Sequence, residues 1–133
     1  MTGAASRRRG HNAERAVVRY LREHGYPDAV TTRNTGGAGG RQLGDISFHP
    51  LVVLEVKDVA SSAWPTWLRQ AQAAAGHDRI AAVVRRTRGV PDVGRWPTSW
   101  STDGGARYGM TEFGPFLDLW LPHLDHEDWK DST

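Results

Sequence analysis

The stretch GDISFHPLVVLEVK, residues 44–57, governs the fold of everything around it. Two runs of strand character, residues 44–48 and 51–57, flank His49 and Pro50, a pair suited to a tight turn. Side chains alternate across a strand, so Val53, Glu55 and Lys57 share one face while Val52, Leu54 and Val56 share the other. The second face is wholly apolar and has to be buried. An acid and a base therefore sit side by side on the rim of a central strand, where solvation is incomplete and a counter-ion is needed. Asp45, on the other arm of the hairpin, comes close to Glu55 if the turn is tight. Two carboxylates at that range repel, and the usual resolutions are a raised pKa on one or a divalent cation between them.

Outward from the hairpin, Asn12 can cap a helix from Ala13 to His24, stopped by Gly25 and Pro27. Residues 29–34 suggest a short strand, followed by the loop GGAGG at 36–40. On the other side, Ser61 or Ser62 can cap a helix with Pro65 in its first turn, running to Gly76. Residues 80–85 give a further strand. Residues 86–109, with Pro91 and Pro97, read as a long irregular connection that has room for a short strand near 96–100. A last helix starts at a Thr111 cap and ends before Pro122. The order α-β-β-β-α-β-α with an internal hairpin describes an α/β fold, a mixed β-sheet flanked by helices.

A length of 133 residues accommodates one ordinary domain, expected at residues 11–122 between a flexible basic arm (1–10) and a loose acidic tail (123–133). The absence of cysteine excludes disulfide scaffolds, thiolate metal sites and cysteine nucleophiles. A mean hydropathy of −0.56 and no long apolar run exclude a membrane span. The first residues show no secretory pattern, so an intracellular, cytoplasmic location is expected. Net charge is only +2, but it is unevenly placed: residues 1–41 hold eight arginines against three acids, residues 116–133 one lysine against five acids. A basic front of arginines suits a polyanion, because the guanidinium fork matches phosphate oxygens.

The first helix supplies a third acid. At about 100° per residue, Glu14 flanks the apolar stripe of Ala13, Val17 and Leu21, away from the face of Arg15, Arg19 and Arg22. Glu14, Asp45, Glu55 and Lys57 can thus converge from separate elements. Such a set suits phosphodiester hydrolysis: hard carboxylate oxygens hold Mg²⁺ or Mn²⁺, which acidifies a water, and a fixed ammonium stabilises the charge of the transition state. Gln70, one turn into the helix after the strand, can position water or phosphate.

Several pieces occur together: RRGHNAER at 8–15, HGY at 24–26, RNTGG at 33–37, GDI at 44–46 and EVK at 55–57. In this order and spacing, over residues 8 to about 85, the sequence resembles the archaeal-type Holliday junction resolvases of the PD-(D/E)XK nuclease superfamily. The resemblance implies a restriction-endonuclease-like fold, with metal ligands at Glu14, Asp45 and Glu55 and a catalytic Lys57. It also implies DNA contacts from Arg8, Arg9, Arg15 and Arg33, and a homodimer that cuts opposed strands of branched DNA. The family's loop serine has Thr35 as its nearest counterpart here, in a loop lengthened through Arg41.

Blander readings exist for each feature. Glu55 and Lys57 could be a solvated pair on an edge strand, Glu14 a first-turn acid and Gln70 a surface residue. The histidines lack metal-ligand spacing, GGAGG lacks the GK[ST] of a phosphate loop, and the tryptophans fit a core or an interface. Two other functions share these residues: a related nuclease acting on duplex, flap or nicked DNA, and a non-catalytic DNA-binding module.

Overall fold

In the computed structural model, residues 3–32, 44–60 and 62–126 are described, with side chains from residue 7 onward. The hairpin forms as its alternation requires. Strand β2 (Ile46–Ser47) pairs antiparallel with β3 (Val52–Lys57), Ile46 opposite Leu54, and β1 (Val30–Thr31) adds antiparallel to β2. Helix α2 (Trp64–Ala75) then crosses over the sheet to β4 (Ile80–Arg85), which lies parallel to β3 with Glu55 opposite Val83 and Lys57 opposite Arg85. Strands β5 (Pro97–Thr102) and β6 (Arg107–Glu112) continue the sheet antiparallel, so six strands lie in chain order. The molecule is α/β, with a six-stranded mixed sheet flanked by helices.

Both faces of the central strands are covered, as a parallel pair requires. Helix α1 (Gly3–Glu23) and the C-terminal helices pack on the face of Val52, Leu54 and Val56 through Val17, Leu21, Phe113 and Phe116. Helix α2 covers the opposite face, laying Trp67, Ala71 and Ala75 on Val53, Ala81 and Val83. Its two small alanines let the helix axis come close to the strands.

Several expectations are corrected. Residues 3–10, expected as a flexible arm, are helical: α1 begins at Gly3, not after Asn12, and Asn12 Oδ1 accepts a hydrogen bond from the Arg15 guanidinium instead of capping. Alanine and arginine are good helix formers and extend the packed segment backwards, outweighing the cost of Gly10. Helix α2 follows Ala63 with no side-chain cap, so Ser62 does not cap it, and Ser61 lies outside the described residues. The short strand expected near 96–100 is present as β5, Pro97–Thr102, but the rest of 86–109 is less irregular than expected, holding a 3₁₀ turn at Val93–Arg95 and the start of β6. Thr111 belongs to β6. Nor does Pro122 end the last helix, since α3 (Phe113–Pro115) runs through a π-helical turn (Phe116–Trp120) into α4 (Leu121–His126). The π turn widens the ladder, with Leu121 N–H donating to Phe116 O, and absorbs the donor that proline lacks.

Candidate functional site

Gly44 sets the site. Its φ is +80°, and an added Cβ would stand 2.7 Å from Leu54 O, so only glycine lets the chain press so closely on β3. The next residue is consequently locked: Asp45 N–H donates to Leu54 O at 2.7 Å, and Thr32 N–H donates to Asp45 O at 3.0 Å. The Asp45 carboxylate continues the ladder where backbone pairing stops, with Val56 N–H donating to Oδ2 at 2.8 Å. Its negative charge is thereby fixed against β3 beside Glu55.

Glu55 responds strongly. Burial pushes its carboxyl up to about 7, and the negative charge of Asp45 adds to the rise, opposed by the Lys57 ammonium. A hydrogen bond to the Asp45 carboxyl and the charge of Glu14 raise it further. Glu14 is 8% exposed and belongs to the buried side of α1, in company with Ala13 and Val17. Asp45, just before β2, Lys57 of β3 and Glu14 of α1 thus each act on Glu55. Lys57 Nζ also lies 5.9 Å from the centre of the Trp67 ring, a cation–π contact that holds the ammonium at the strand end.

Asp45 and Glu55 are the side chains that could hold a divalent cation. Among the described residues no three His, Asp or Glu side chains are grouped as a ready-made metal cage. Two adjoining hard carboxylates nonetheless fit Mg²⁺, which keeps several waters and is commonly held by one or two carboxylates plus substrate phosphate. Gln70 lies on the exposed side of α2.

Extension of α1 to Gly3 brings Arg8 onto the helix face of Arg15 and Arg19, an exposed basic stripe spanning about 17 Å by helical rise. Arg9 is exposed on the same first turns. Arg33, Thr35 and Arg41 lie outside the described residues. Beside the stripe, a cleft of about 450 Å³ opens between Asn12 and Ala16 of α1 and Arg86, Thr87 and Pro91 of the loop after β4.

No family model, curated protein or solved structure matches the chain. Fold and site accordingly rest on the geometry described. That geometry adds one cluster that sequence reasoning missed. Asp58, whose side chain is 2% exposed, accepts from Arg86 at 3.2 Å and faces Arg88 at 3.8 Å. Arg85 meanwhile donates to Val59 O and Ala60 O. These groups clamp the carboxyl ends of the parallel pair, the end at which α/β sheets place ligands. The signal was present in the sequence: an acid directly after EVK and an Arg-Arg pair ending the next strand meet once those strands pair parallel.

Proposed function

We propose that the chain is a divalent-metal-dependent endonuclease that hydrolyses DNA phosphodiesters, preferentially at four-way junctions. The observation that carries this reading is the convergence of Asp45, Lys57 and Glu14 on Glu55, whose carboxyl is driven up to about 7 by burial and by Asp45. Such pairing of like charges is unfavourable unless a cation or a proton lies between them. The resemblance to the PD-(D/E)XK nucleases supports the same assignment and brings with it a restriction-endonuclease-like fold.

In this reading Asp45 and Glu55, with Glu14 beside them, hold Mg²⁺ or Mn²⁺. When bound, the cation supplies an acidified water and neutralises charge on the scissile phosphate. Asp45 is held by Val56 N–H, so its oxygen is fixed before substrate arrives. Lys57 Nζ orients the attacking water and stabilises the extra negative charge as the new P–O bond forms and the ester P–O bond breaks. Arg8, Arg9 and Arg15 neutralise flanking phosphates. Gln70 is assigned to water or phosphate positioning. A second copy of the chain cuts the opposed strand.

One observation favours a second reading, a non-catalytic DNA-binding module: the lack of a three-ligand cage among the described residues. Incubating the full chain with labelled four-way junction, flap and linear duplex, with Mg²⁺ or EDTA, separates the two. Mg²⁺-dependent cleavage greatest on the junction is expected, with Lys57→Ala lowering turnover about a hundredfold while affinity changes less than about threefold. Faster cutting of flap or duplex would assign another substrate to the same site. Binding without cleavage of any DNA would establish the module.

A further inference from the structure

The face of the sheet that carries Glu55 and Lys57 continues into a second, unassigned site. On β5 and β6 the cross-strand pairs Ser99–Met110 and Ser101–Tyr108 project to this face, since they continue the register of Val83 and Ala81. Ser99 and Ser101 are small and buried, so the sheet there is hollow, whereas Tyr108 and Met110 stand 73% and 56% exposed beside it. Trp64, Leu68, Arg69 and Gln72 of α2 form the opposite wall. The result is a groove of about 540 Å³, in the size range of small-ligand sites. Beneath its floor lies Ser99, 4% exposed, whose Oγ is buried and, like those of Thr31, Ser101 and Thr102, has no hydrogen-bond partner among the described residues.

The groove is joined to the acidic site by contact. Trp64 meets Trp67 edge to face at 5.2 Å between ring centres, and Lys57 Nζ lies over Trp67. One aromatic ring thus separates the ammonium from the groove wall. Aromatic side chains on both walls, the Gln72 side chain in the lining and the Arg69 cation at the rim match one flat heterocycle attached to a phosphate.

We propose that this groove holds a single unpaired nucleobase of the DNA, stacked against Trp64 and Tyr108, with Arg69 on its phosphate. A base still paired in a duplex cannot enter, so the groove adds affinity wherever the bound DNA presents an unpaired base. This rests on the nuclease reading for the meaning of the neighbouring site, but its test does not depend on cleavage.

The test is fluorescence anisotropy of the full chain in EDTA, with two duplexes that carry one unpaired adenosine nucleotide or one unpaired abasic nucleotide. The base-containing bulge should bind about tenfold more tightly, in line with the stacking of one base on aromatic side chains. Tyr108→Ala should reduce that preference to about twofold or less, and Tyr108→Phe, which keeps the ring, should retain it. Circular dichroism should show an unchanged fold, because Tyr108 is exposed. Equal affinity for both bulges, or a preference that survives Tyr108→Ala, overturns the proposal. So does a dimer in sedimentation equilibrium that Tyr108→Ala disperses, since a second copy would then occupy the groove. Base preference without Mg²⁺-dependent cleavage supports this site while failing the hydrolytic reading; cleavage without base preference does the reverse.

Discussion

The two ends of the sheet are built in opposite ways. Strands β5 and β6 pair over six residues each, Pro97 to Thr102 against Glu112 to Arg107, in a regular backbone ladder. Strands β1 and β2 are two residues long, and past their end the side of β3 turned away from β4 is held by a glycine turn and by one carboxylate. Backbone ladders hold strands without presenting charge. Where the ladder stops, the unpaired Val56 N–H recruits Asp45, and a charged oxygen becomes part of the frame. The chemistry proposed here lies at the short end because incomplete pairing leaves room for ionisable groups, while the long end supplies order.

The sharpest break of this comparison is Asp45→Asn. An asparagine Oδ1 still accepts from Val56 N–H, so stability should change by less than about 1 kcal/mol. DNA cleavage should fall about a thousandfold in single-turnover assays, because the ionised ligand is gone. A variant that cuts normally would remove Asp45 from the chemistry.

Gly44→Ala attacks the joint between frame and site. With φ at +80° and Leu54 O 2.7 Å from the new methyl, the turn must shift. We expect a loss of about 2–3 kcal/mol in urea unfolding, accompanied by reduced cleavage. Unaltered stability would show that the close approach of residue 44 to β3 is not required.

A smaller effect follows from Glu55. Its folded pKa, about 7, lies above the ordinary value of 4.5, so the folded protein binds the proton more tightly than the unfolded chain. The stability tied to that proton is fully present below about pH 4.5 and lost as pH rises through 7. Glu55→Gln removes this loss. Relative to the parent, the variant should therefore gain on the order of 1 kcal/mol between pH 4 and pH 8, after discounting for solvent screening at this half-buried position. Parallel stability–pH curves would contradict the raised pKa.

How much could be read without coordinates follows the same division. The faces of β3 were legible because Val52, Leu54 and Val56 alternate strictly with Glu55 and Lys57, and the side of α1 occupied by Glu14 followed from helical spacing. The span of β4 was legible from its run of Ile, Ala and Val. By contrast, β6 was hidden: in RYGMTE the large apolar residues Tyr108 and Met110 are the exposed ones, Gly109 breaks the strand pattern, and Thr111 imitates a helix cap. Asn12 misled in a similar way, since a capping residue whose side chain is taken up by Arg15 marks no helix start. The Asp58–Arg86 clamp depends on pairing β3 with β4 across the length of α2, a long-range register that local pattern does not encode.

The central claim is that the carboxylates of Glu14 on α1, Asp45 just before β2 and Glu55 on β3 serve one divalent cation. Calorimetric titration of the full chain with Mn²⁺ at pH 8, beside Asp45→Asn, Glu55→Gln and Glu14→Gln, tests it most directly. The account predicts saturable binding to the parent, abolished by the first two substitutions and weakened by the third. Identical Mn²⁺ isotherms for all four proteins would contradict it.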